Sequence, residues 1–155
     1  MADSIPDVQF KPAGLADCGT ITRFIEEYYS LDGIAFNRDH VALALNGLVM
    51  DKRLGRVYVI RCSGEPAGYL ILMFCHSVEF GGRVAFVDEL FVCEAHRGKG
   101  IGTLALAFVE KESRAEGVKA LRLEVTHKNA GARDLYARNG FMLEDRHLMT
   151  KRLSV

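Results

Sequence analysis

The chain lacks an excess of charge of either sign, since its 155 residues carry 20 basic and 20 acidic side chains. Without a net field to attract polyanions, neither nucleic acid nor an anionic membrane is an expected partner. It also lacks any apolar run near the length of a bilayer span. Its first residues, Met1 to Asp7, have neither a basic nor an apolar leader-like segment. A cytoplasmic location is therefore expected. Cysteine is scarce and scattered: Cys18, Cys62, Cys75 and Cys93 show no Cys-x-x-Cys spacing. They read as reduced thiols serving as small apolar residues, with Cys93 lacking a paired base that would make it a nucleophile. His40, His76, His96, His127 and His147 are equally dispersed, and no metal site is inferred. No internal repeat, low-complexity stretch or linker divides the chain. With 49% apolar residues it can close one sizeable core, so a single domain over residues 1–155 is expected.

What the chain does have is a strand carrying two carboxylates that runs into a basic, glycine-rich turn and then a helix, over Val87 to Gly102. Gly98, Gly100 and Gly102 free the backbone for conformations closed to other residues and for close approach to a ligand. The helix that follows has unpaired N–H groups and the positive end of its dipole in the first turn, where a phosphate is the natural occupant. Arg97 offers a planar fork to phosphate oxygens and Lys99 a mobile point charge.

Three phosphate-binding patterns compete. A P-loop fails, because Gly98-Lys99 is followed by Gly100 rather than Ser or Thr. Gly100-Ile101-Gly102-Thr103-Leu104-Ala105 satisfies G-x-G-x-x-A, so a dinucleotide-binding oxidoreductase is an alternative. That fingerprint should begin at the strand's end and open a doubly wound series, however, and this one does neither. The third pattern is Arg97-Gly98-Lys99-Gly100-Ile101-Gly102 behind Leu90-Phe91-Val92. About thirty residues on stands Asn129-Ala130-Gly131-Ala132-Arg133-Asp134-Leu135-Tyr136-Ala137-Arg138-Asn139-Gly140-Phe141, an N-cap, a helical face and an Asn-Gly stop. Together the two segments resemble the signatures of the GNAT superfamily of acetyl-coenzyme A dependent N-acetyltransferases, closely over Arg83 to Phe141 and in outline elsewhere.

The order of elements agrees with that resemblance. A short strand at Val8 to Lys11 precedes helices within Leu15 to Tyr29 and Asp39 to Met50. Arg56 to Arg61 and Gly68 to Cys75 should form a hairpin through Ser63-Gly64-Glu65-Pro66, followed by the strand Val84 to Val92. The helix Thr103 to Glu116, the strand Ala120 to Val125 and the helix Asn129 to Asn139 come next. Phe141 to Leu143 and His147 to Leu153 are expected to supply a last strand pair. The resemblance implies an α+β fold with a mixed, mostly antiparallel sheet of six to seven strands and about four flanking helices.

Acetyl transfer to an amine needs a base, because an alkylamine of pKa ~10.4 is mostly protonated at neutral pH. Asp88 and Glu89 stand just upstream of the turn, and strand alternation sends them to opposite faces unless a bulge intervenes. Asp88 is favoured by position, with Glu89 next. The resemblance implies that Tyr136 protonates the departing thiolate, and that Arg97, Gly98, Lys99, Gly100, Ile101, Gly102 and Thr103 hold the coenzyme's pyrophosphate. It further implies that Leu90, Phe91 and Val92 meet the pantetheine arm through backbone groups, and that Asn129 and Ala132 complete the coenzyme site. Asn129 can also cap its helix, since capping uses only the side-chain oxygen.

For the acceptor, the resemblance points to the first two helices and the turn before the acidic strand, with Glu27, Tyr28, Tyr29 and Phe80 as candidate contacts. Acidic and aromatic groups together suit a cationic amine. Small amine, polyamine, aminoglycoside and peptide amine all stay open, and a homodimer, common in such families, is compatible with the chain. A catalytically weak coenzyme A-binding sensor or interaction module is the alternative to an enzyme.

Overall fold

The computed structural model describes residues 7–153, which form one sheet with helices on both faces. Its strands are β1 (Val8–Pro12), β2 (Gly55–Cys62), β3 (Glu65–Ser77), β4 (Gly82–Val92) and β5 (Ala120–Leu123). They lie in sheet order β1-β2-β3-β4-β5, antiparallel except for the parallel pair β4–β5. That mostly antiparallel order is not the doubly wound parallel series a dinucleotide fold requires. The helices are α1 (Cys18–Asp32), α2 (Arg38–Met50), α3 (Ile101–Ala115) and α4 (Ala130–Arg138). No helix among the described residues is long and apolar enough to cross a membrane.

Local sequence explains most boundaries. In α1 the buried residues Cys18, Ile21, Thr22 and Ile25 recur at helical spacing. The helix stops at Gly33, whose left-handed backbone (φ 68°) lets its N–H close on the Tyr29 carbonyl. Asn37 caps α2 by accepting from the His40 N–H at 3.0 Å. Ser63 and Gly64 both have positive φ (52° and 86°), as a two-residue hairpin turn between twisted strands demands.

The sheet separates two apolar layers. Val57, Val59, Tyr69, Ile71 and Phe91 face α1 and α2, packing with Ile21, Ile25 and Leu45. Tyr58, Leu70, Leu72 and Val87 face the other way, onto Val109 of α3. At the far end of α3, Glu116 accepts from both Arg56 of β2 and Arg83 of β4, and both guanidinium groups lie over the Phe74 ring.

The strand count corrects the expectation of six to seven: five strands form among the described residues, and neither Phe141 to Leu143 nor His147 to Leu153 joins a ladder. Beyond Phe141 the apolar side chains are not covered, with Met142 89% and Met149 90% exposed, so no buried face holds a strand register. Ion pairs tie the segment down instead, from Arg146 to Glu79 at 2.7 Å and from Arg122 to Glu144 at 3.1 Å.

Candidate active site

The site begins with a defect in β4. Along the β3–β4 ladder, Leu70 faces Leu90 and Ile71 faces Glu89, but Leu72 faces Val87, so Asp88 is an extra residue on its strand. This bulge resets the alternation. Val87 points to the α3 side, whereas Glu89 shares the α1/α2 side with Ile71 and Phe91. Beyond the bulge β4 loses its other neighbour as well. Its pairing with β5 ends at Val87–Leu123, and residues 89–92 stay paired with β3 alone. The two parallel strands part there, and their open wedge is the wall of a cleft of about 1650 Å³.

Asp88, Glu89, Leu90, Val92, Gly102, Asn129, Ala132 and Tyr136 all line this cleft, together with Tyr28 and Phe80. Residues from opposite ends of the sequence-level reading thus meet in one space. Nine expected residues are not on its lining: Glu27, Tyr29, Phe91, Arg97, Gly98, Lys99, Gly100, Ile101 and Thr103. Glu27 borders a separate, smaller depression with Thr20, Arg23, Phe24 and Pro66. Phe91 is packed in the core among Phe24, Tyr28 and Tyr69. Arg97 and Lys99 stand outside the cleft lining. Arg97 Nε donates to the Val92 carbonyl at 2.8 Å, with its guanidinium over the Phe91 ring, and Lys99 Nζ donates to the Ala95 carbonyl at 3.0 Å. Both cations therefore brace the turn from the main chain, leaving their remaining N–H groups outward.

The turn itself fits an anion. Gly98 and Gly100 hold left-handed backbone (φ 73° and 77°) with open space where a Cβ would stand. The backbone N–H groups of Gly98 through Thr103, which include Ile101 and Gly102, find no partner among the described residues. They precede or begin α3, where the helix dipole adds positive potential. A Cβ on Gly102 would come within 2.9 Å of Leu135 Cδ2, so this glycine lets α4 settle against the start of α3. On α4, Asn129 accepts from the Ala132 N–H at 3.0 Å. One turn on, Tyr136 sets its ring edge-on to Phe141.

The carboxylates differ in their surroundings. Glu89 is held on both oxygens: Tyr29 Oη donates to Oε1 at 2.7 Å and Tyr69 Oη to Oε2 at 2.8 Å. Burial pushes its pKa up, the two phenol donors pull against that, and the charge of Asp88 adds a further rise. Burial is also the main cause that raises Tyr29 and Tyr69 well above the usual phenol range, so both remain O–H donors at neutral pH. Tyr28 is pushed up to about 12 by burial, then by the charges of Asp32 and Glu89. Asp88 has no hydrogen-bond or ion-pair partner among the described residues. Lodging against the cleft wall, and then the charge of Glu124, raise its carboxyl above the usual range. Tyr136 Oη likewise has no partner among the described residues, and burial raises its pKa.

Tyr69 was not among the residues singled out from sequence. A signal for it exists, since it is the one side chain with a hydroxyl in the run Ala67 to Leu72, and it is 0% exposed. A phenol in such a place needs a buried acceptor.

Comparison with known proteins agrees with this geometry. The profile of the "Acetyltransferase (GNAT) family" matches residues 20–141. Thialysine N-epsilon-acetyltransferase of Bos taurus is 29% identical over 142 residues, covering 83% of this chain and 81% of its own. Among solved structures, an integron cassette protein from the mobile metagenome of Cole Harbour Salt Marsh superposes with a TM-score of 0.84 at 33% identity, over 95% of this chain and 91% of its own. A "predicted acetyltransferase with acetyl-CoA" from Clostridium acetobutylicum shares the fold, with a TM-score of 0.79 at 16% identity over 93% and 96% of the two chains.

Proposed function

This chain belongs to the GNAT family of acetyltransferases and is an acetyl-CoA-dependent acyltransferase, and we propose that it transfers acetyl to a primary amine by direct attack within a ternary complex. The observation that carries this reading is the meeting, in one cleft, of an unpartnered carboxylate and an unpartnered phenol, with Gly102 on its lining at the end of a glycine-rich turn whose N–H groups are free.

In this reading the N–H groups of Gly98 to Thr103 receive the coenzyme's pyrophosphate, with Arg97 and Lys99 adding charge through their free N–H groups. The unpaired edge of β4 at Leu90 to Val92 offers backbone groups to the pantetheine amides and an N–H to the thioester oxygen, where negative charge develops. Asn129 and Ala132 border the coenzyme from the start of α4. Asp88 takes the proton from the acceptor's ammonium, directly or through a water, and its raised pKa brings it closer to that task at neutral pH. The neutral nitrogen forms the N–C bond, the C–S bond breaks, and Tyr136 gives its proton to the thiolate. The products are an amide and free coenzyme A thiol.

A panel of primary amines assayed for free thiol tests this reading. Amine-dependent thiol release is the expected result. Slow release that no amine stimulates would instead favour a coenzyme A-binding module.

A further inference from the structure

We infer that Glu89 is a fixed anionic seat for the ammonium form of the acceptor, and that Tyr29 and Tyr69 are the positioning residues that hold it in place. The identity of the occupant rests on the transferase reading, while the seat itself rests on geometry.

Each carboxylate oxygen has its own phenol donor, at 2.7 Å from α1 and 2.8 Å from β3, so elements far apart in sequence converge on one side chain. Both donors favour the anion, because a protonated carboxyl would leave one phenol facing a hydroxyl that must itself donate. No Lys, Arg or His stands within ion-pair distance of Glu89 among the described residues. A half-buried carboxylate that the protein orders on both oxygens yet leaves without a counter-charge is arranged to receive a cation from outside. Its remaining lone pairs can accept ammonium N–H bonds.

The surroundings suit such a guest. Tyr28 lines the cleft with its ring 5.7 Å from that of Tyr29, which in turn meets Phe36 edge-on, so aromatic faces wall the seat. Asp32 of α1, Asp88 of β4 and Glu124 beyond β5 add negative charge to the cleft lining, and among its basic groups Arg122 and Arg146 are already held by Glu144 and Glu79. The division of labour follows from hydrogen bonding. Glu89, clamped, binds the charged amine; Asp88, unclamped at the bulge, takes its proton. Tyr29 sits in the last turn of α1, so the α1–α2 connection is coupled to the seat through one hydroxyl.

The test compares binding of n-butylammonium and of 1-butanol, a neutral analogue of the same size, to the full chain with coenzyme A present, by calorimetry. The wild type is expected to prefer the ammonium by tenfold or more. Glu89→Gln should bring that ratio close to one, and Tyr29→Phe should lower it severalfold with little change in melting temperature. In amine kinetics both substitutions should raise KM more than they lower kcat. A wild type without ammonium preference, or a Glu89→Gln variant that keeps it and loses kcat instead, would overturn the inference. If Glu89→Gln does not fold, Tyr29→Phe alone decides, an unchanged ratio overturning the inference. A Glu89-dependent preference in a chain that acetylates no amine would uphold the seat and remove the transferase reading.

Discussion

Replacing Asp88 by Asn keeps the side chain's size at the β4 bulge and removes only the ability to take a proton. At pH 7 an amine of pKa ~10.4 is neutral in about one molecule in 2,500, which sets the scale of what a base can supply. General-base catalysis typically contributes about 10²- to 10⁴-fold, or roughly 3 to 5 kcal/mol of barrier. Asp88→Asn is therefore expected to lower kcat/KM at pH 7 by about 10³-fold, on the basis of that range. The deficit should shrink toward pH 10, where about a third of the amine arrives already neutral. Stability should move the other way. Asp88 is exposed at its surface, but partial desolvation against the cleft wall and then Glu124 raise its pKa in the folded chain, so the folded state holds the proton somewhat more tightly than the unfolded one, whose Asp titrates near ~3.9. Stability accordingly falls as pH rises from the unfolded to the folded pKa, and stays reduced above that window. The neutral Asn escapes this cost. The variant should melt higher than wild type at pH 7, with the advantage vanishing below the unfolded pKa. Thiol-release kinetics from pH 6 to 10 and melting curves at pH 3.5 and 7 read both effects. A kcat/KM within threefold of wild type at pH 7, or a deficit of constant size up to pH 10, would refute the assignment of Asp88 as base.

Tyr136→Phe should lower kcat by tenfold or more while the coenzyme A dissociation constant stays within about threefold, since the ring's packing on Phe141 survives and only the proton donor is lost. Thiol-release kinetics with calorimetric coenzyme titration check this, and an unchanged kcat removes Tyr136 from the mechanism. Gly100→Ala forces a Cβ into left-handed backbone at φ 77°, at a cost of about 1 to 2 kcal/mol. A lower melting temperature and weaker coenzyme A binding are expected, and the loss of neither would mean that this turn does not hold the coenzyme.

Much of the fold was readable because its signals are local. Helical spacing at Ile21 and Ile25, the cap Asn129 and the turn at Ser63-Gly64 each act within a few residues, and each stands where the pattern placed it. The glycine turn was equally readable, since positive φ at Gly98 and Gly100 is a property of the residue type. The last two strands were not, because a β-rich segment becomes a strand only when a partner edge and a buried face receive it, and the segment after Phe141 has neither.

The sequence by itself determined that a phosphate-binding turn, two adjacent carboxylates and a tyrosine-bearing helix occur in one chain in that order. Only the tertiary structure decided what each carboxylate does. The bulge that sets the faces of Asp88 and Glu89 is a register shift against β3, and Glu89's partners are a tyrosine 60 residues away on α1 and another 20 residues away on β3. Register and long-range hydrogen bonds are relations between segments, and no window of sequence contains both partners.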